Sequence, residues 1–164
     1  MYYVSSEAHT MIQKKSLISG MISAIINVIV AWFVFQGRTN LPITVDSVSS
    51  GEKTVFSAGV MTAFTLSLIA GTIVFFSFRK IAKKLELGLP ELLERPFFFF
   101  GVRIILFYAL FAFGTTALVG LFLQKFLGII IVSRLVAAIL VGVIAGFASF
   151  FINSAVMKAV LRPE

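Results

Sequence analysis

Four runs without a charged side chain constrain this chain more than anything else in it. Residues 16–37, 54–78, 104–124 and 135–157 contain no Asp, Glu, Lys or Arg. An α-helix rises about 1.5 Å per residue and the bilayer hydrocarbon is about 30 Å thick, so about 20 apolar residues suffice to cross it. In hydrocarbon the backbone polar groups must be satisfied within the protein, and a barrel strand would show only about 10 alternating residues per crossing. These runs are therefore predicted to be helices.

Composition points the same way. A content of 59% hydrophobic residues over 164 positions, with a mean hydropathy of +1.05, is more than a soluble domain of this length can bury. The fold expected is an all-α membrane protein, a single four-transmembrane-helix bundle over residues 1–164, with spans at about 16–37, 54–78, 97–124 and 133–157. The first run is longer than the apolar core of a signal peptide and lacks a small-x-small cleavage site, so it is expected to be retained.

Between the second and third spans lies a charged cytoplasmic bridge, 79–96, in the stretch RKIAKKLELGLPELLERPFFFFGVR that runs from Arg79 to Arg103. It reads as two short interfacial helices broken at Gly88 and Leu89. Pro90 suits a first helical position, and Glu91 and Glu94 follow it. Arg79, Lys80, Lys83 and Lys84 would face the membrane surface, where anionic lipid contributes about 1 kcal/mol per basic residue. Phe97 to Phe100 would enter at headgroup depth.

Basic residues assign the orientation. The amino terminus, bridge and carboxyl terminus hold Lys14, Lys15, Arg79, Lys80, Lys83, Lys84, Arg95, Arg103, Lys158 and Arg162, against Arg38, Lys53, Lys125 and Arg134 in the other two loops. That excess predicts both termini and the bridge on the cytoplasmic side, in a bacterial cytoplasmic (inner) membrane. In the first external loop Pro42 would stop the first helix, and Ser49 with Glu52 has capping-box spacing for the start of the second. The other external loop, around 125–134, is too short for a domain.

The chemistry available is narrow. There is no cysteine and a single histidine, His9, which excludes thiolate nucleophiles, cysteine metal sites and multi-histidine sites. No carboxylate falls in any span, and no phosphate loop or nucleophile elbow is present. No catalytic residue, metal or cofactor is expected, and the chain is not read as an enzyme. A net charge of +7 is accounted for by topology, so it does not imply nucleic-acid binding.

Small residues recur at four-residue spacing in every span: Ser16, Gly20, Ala24; Gly59, Ala63, Ser67, Gly71; Ala112, Thr116, Gly120; and Ala138, Gly142, Gly146. Such faces let helix backbones approach closely. They exceed what one bundle obviously needs, which motivates a homo-oligomer or a larger membrane-protein complex as partner.

Polar groups within the spans are the candidate binding residues, because they are expensive to bury there. By helical rise, Arg103, Asn153 and Thr72 lie about 8–9 Å from the cytoplasmic boundary, with Ser19 close in depth. They could form a pocket for an anionic headgroup or substrate; alternatively Arg103 snorkels to the interface along its aliphatic stem. Asn27, Thr65 and Tyr108 form a second set at about 17–20 Å, structural or pore-lining. The function expected is a non-catalytic subunit, scaffold or lipid-binding component of a membrane assembly. The alternative is an oligomeric transporter or channel for a small anionic or neutral solute.

Overall fold

A computed structural model describes residues 6–43, 54–85, 97–128 and 130–161. Its elements in chain order are α1 (Ser6–Val34), β1 (Asn40–Ile43), α2 (Val55–Lys84), a π-helical turn (Phe97–Gly101), α3 (Val102–Leu127), β2 (Ile130–Ser133) and α4 (Arg134–Leu161). Four helices among the described residues are long and apolar enough to span a membrane.

The helices extend beyond the uncharged runs for local reasons. α1 starts at Ser6, ten residues before the uncharged run, so His9, Lys14 and Lys15 ride on the helix. A cation lowers hydropathy but has good helix propensity, so charge marks the edge of the apolar span and not the end of the helix. The other end of α1 is set by Gly37, whose φ of +81° turns the chain away. Pro42 lies beyond that turn, within β1, and is not what stops the helix.

α2 begins with Thr54 as its N-cap. Ser57 N–H donates to Thr54 Oγ1 at 3.0 Å and Thr54 N–H donates to Ser57 Oγ at 3.0 Å, a reciprocal box. The cap expected at Ser49 and Glu52 lies outside the described residues. α2 then runs unbroken to Lys84, so Arg79, Lys80, Lys83 and Lys84 extend the spanning helix and do not open a separate interfacial one. The break expected at Gly88 and Leu89, and the helix after Pro90, lie outside the described residues.

The two connections at the other end form an antiparallel ribbon that the sequence reading did not anticipate, pairing Leu41 with Val132 and Pro42 with Ile131. Leu41 is buried beneath it. Four-residue strands carry too few alternations to stand out beside four long apolar runs.

Packing is led by α4, the most buried of the spans. It lies against α1 on one side and α2 on the other, while α3 packs chiefly on α2. α1 and α4 run antiparallel with their small faces together. A Cβ added at Gly20 would sit 3.0 Å from Gly146 O, and one added at Gly142 would sit 2.8 Å from Ala24 O. The same logic serves α2 and α3, where the ring of Phe56 fills the space that a side chain at Gly120 would need. The second stripe divides its work: Gly59 faces Ile144 of α4, and Gly71 faces Ile105 of α3. Small faces that could have served a partner chain are thus used to join helices of this one.

Two apolar clusters cap the bundle. One gathers Ala8 and Ile12 of α1, Phe75, Phe78 and Ala82 of α2, Ile105 of α3 and Ile152, Val156 and Val160 of α4. The other joins Ala31, Phe35, Leu41, Val55, Ala137 and Val141. The start of α1, the end of α2 and the end of α4 therefore share one end of the bundle.

Candidate polar seam and cationic end

The α1–α4 interface carries a polar seam as well as glycines. Asn153 is fully buried on α4, and its Nδ2 donates to Ser19 Oγ of α1 at 2.6 Å and to Ser149 Oγ of its own helix at 3.1 Å. The two helices approach closely just beside it, where a Cβ added at Gly20 would meet Gly146 O at 3.0 Å. Ser16, one turn before Ser19, is also fully buried. Among the described residues three seam atoms find no hydrogen-bond partner: Asn153 Oδ1, Ser16 Oγ and Ser23 Oγ. An unsatisfied buried polar atom costs about 1–3 kcal/mol, so the seam is the place in the spans where hydrogen-bonding capacity is held in reserve.

Of the four residues expected at one depth, Asn153 and Ser19 meet. Thr72 donates its hydroxyl to Leu68 O at 2.7 Å, one turn back on α2. Arg103 is exposed, two residues from each of the buried Gly101 and Ile105, and so on the far side of α3 from that buried face.

The second expected set is spread over three helices. Asn27 is buried and donates to Ser23 O of its own helix at 2.7 Å. Thr65 is exposed on α2. Tyr108 is half-buried against the first apolar cluster, with its ring edge-on to Phe107 at 5.4 Å between centroids.

Cations gather at the end of the bundle that holds the start of α1. Lys14, Lys15, Lys80, Lys83 and Lys84 are exposed there, and Lys158 is half-buried near the end of α4. Arg79 is half-buried with its guanidinium carbon 5.3 Å from the centre of the Phe75 ring, and that ring meets Phe100 at 6.4 Å. Among the described residues no three His, Cys, Asp or Glu side chains come together as a metal site.

Two features escaped the sequence reading. One is the seam's remaining members, Ser149 at i−4 from Asn153 on α4 and Ser23 at i+4 from Ser19 on α1, whose four-residue spacing to those two residues is the signal that finds them. The other is a clamp of Arg134 on Trp32, which joins residues 102 positions apart and has no local signature.

The wide apolar exposure of all four helices, including Phe107, Phe111, Phe122 and Phe147, is what lipid contact requires and what water would not tolerate. The fold and its surface define an integral membrane protein, with four helices among the described residues long and apolar enough to span the bilayer. Compared with protein-family models, curated proteins and solved structures, the chain gives no significant match.

Proposed function

We propose that this protein is a non-catalytic subunit, scaffold or lipid-binding component of a membrane assembly. Its termini and its 79–96 bridge face the cytoplasm of a bacterial inner membrane. The observation that carries this reading is how polar capacity in the spans is spent. Asn27, Thr72, Thr115 and Thr116 bond carbonyls one turn back in their own helices. Asn153 ties two helices together. Groups used in this way hold a shape and present little to a passing solute.

The packing order supports the same reading. The helices pack in the order α1, α4, α2, α3, and where all four meet, at Ile12, Phe75, Ile105 and Ile152, the shared centre is buried and apolar, which offers no aqueous path. The excess of cations at one end fits a surface held against anionic lipid, as the positive-inside distribution implies. Purification of the chain from its own membrane in mild detergent, with mass measurement of the intact species, tests the proposal. The expected result is a stable assembly larger than one chain. Specific solute flux by the isolated chain in liposomes would overturn it.

The transporter reading is favoured by one observation, the unsatisfied atoms of the α1–α4 seam. In that reading Asn153 Oδ1 and Ser16 Oγ would bind a small neutral solute. Flux abolished by Asn153→Ala would establish it.

A further inference from the structure

We propose that the outer face of α3 binds an anionic phospholipid, with Arg103 holding the phosphate and the Phe107 and Phe111 rings holding an acyl chain. The inference rests on the membrane-embedded reading above and narrows its lipid-binding part to the Arg103 face of α3, as against the lysines of α2.

The geometry of α3 provides the site. Its buried residues, Ile105, Ala109 and Gly120, turn inward, and α2 is its main neighbour. Arg103, Phe107 and Phe111 follow one another at four-residue steps and so form a single stripe. All three are exposed, the two rings at 63% and 66%. In the π-helical turn just before the helix, Phe98 and Phe99 are more exposed still, at 81% and 82%. Side chains on a helix lean toward its N-terminus, so the stem of Arg103 climbs toward the end at which α3 enters the bilayer.

Charge then selects the occupant. The apolar segment starts at Phe98, and Arg103 lies about 7–8 Å along it, where a guanidinium without a counter-charge is costly. A phosphodiester accepts two parallel N–H bonds from a guanidinium and sits at the depth a snorkelling arginine reaches.

A second copy of the chain is the competing occupant, and it fits poorly. No Asp or Glu falls in any of the uncharged runs, so a copy would bring no carboxylate to this depth. A two-fold contact through the stripe would instead set Arg103 beside its own equivalent. Of the glycines of α3, Gly120 is already filled by Phe56 of α2. Gly114 opens on the outer face, but the exposed Phe111 and Phe107 rings one and two turns before it leave no continuous small stripe there for a second helix. A zwitterionic lipid offers the same phosphate but carries its own cation beside it, which removes much of the attraction.

The test is native mass spectrometry of the full chain released from detergent supplemented with equal phosphatidylglycerol and phosphatidylcholine. The wild type is expected to retain phosphatidylglycerol. Arg103→Gln should weaken that retention roughly tenfold, Arg103→Lys should recover part of it, and Lys125→Gln, at the opposite end of α3, should leave it unchanged. The paired substitution Phe107→Ala, Phe111→Ala should weaken both lipids alike. Unaltered emission from Trp32, at the far end of the bundle, shows that each variant is folded.

Full retention by Arg103→Gln overturns the proposal. So does a loss confined to a Lys80→Gln, Lys83→Gln, Lys84→Gln variant, which would move the site to α2, and so does a lipid-free dimer. The size of the assembly purified from native membranes is read separately, so failure of the scaffold reading is distinguishable from failure of this one.

Discussion

The guanidinium carbon of Arg134 lies 3.9 Å from the centre of the Trp32 ring, and its Nε donates to the Trp32 carbonyl at 2.9 Å. A second nitrogen, Nη2, donates to the same carbonyl. Arg134 opens α4, the end of a helix that favours anions, so its charge is poorly placed with respect to its own helix. It is well placed for α1, whose last carbonyls have no intrahelical donor and whose dipole is negative there. The β ribbon closes the same end, so strand pairing and this clamp together join α1 to α4.

Arg134→Gln should therefore lower stability by about 1–2 kcal/mol, combining a lost cation–π contact with charge-assisted hydrogen bonds at a half-exposed site. Trp32 is the only tryptophan in the chain, so its emission reports the clamp directly. Unfolding in detergent followed at Trp32 should show a lower midpoint and a changed native spectrum. An unchanged midpoint would mean that the ribbon alone holds this end.

Glycine substitutions should separate packing from lipid exposure. Gly142→Ala places a methyl against Ala24 O and the Val28 side chain and should cost about 1–3 kcal/mol by forcing α1 and α4 apart. Gly114→Ala meets nothing within 4 Å and should be neutral or stabilising by up to about 1 kcal/mol, since alanine is the better helix former. Equal effects at the two positions would remove the case for a close α1–α4 crossing.

The seam makes opposite predictions for two neighbours. Asn153→Ala removes the bond to Ser19 and should destabilise by about 1 kcal/mol, with a coupling to Ser19→Ala of about 0.6 kcal/mol, typical of polar pairs in membranes. Ser16→Ala removes a buried hydroxyl that has no partner among the described residues and should raise stability. A loss at Ser16 instead would indicate that a bound polar molecule satisfies that hydroxyl.

Topology can be read with single cysteines, because the chain has none of its own. Lys83→Cys and Lys158→Cys should be shielded from a membrane-impermeant maleimide added to intact cells, and Lys125→Cys should be labelled. The reverse pattern would invert the assigned orientation, and labelling of only one of the first two would break the proposed shared side.

Much of the architecture was legible because hydropathy and charge act along the chain. The uncharged runs locate the four spanning helices, and the small stripes Gly20, Ala24 and Gly142, Gly146 can be read at their spacing. Which stripes meet cannot be read, since spacing on one helix carries no information about another. Depth likewise grouped Arg103 with Asn153, but depth is one coordinate of two; the rotation of α3 turns Arg103 outward while that of α4 turns Asn153 toward Ser19. The helices run on past the uncharged runs, through Lys14 and Lys15 and through Arg79 to Lys84, because a basic residue bounds an apolar span without ending a helix.

By itself the sequence determined that the chain belongs in a bilayer as four helices, because the cost of leaving backbone groups unbonded in hydrocarbon permits few alternatives to a long apolar run. Tertiary structure alone decided that α4 sits between α1 and α2, that Asn153 bonds Ser19, and that Arg134 closes the end of α1. Those outcomes depend on how helices rotate and cross, and in lipid that choice is made by shape and hydrogen bonding between faces that are equally apolar.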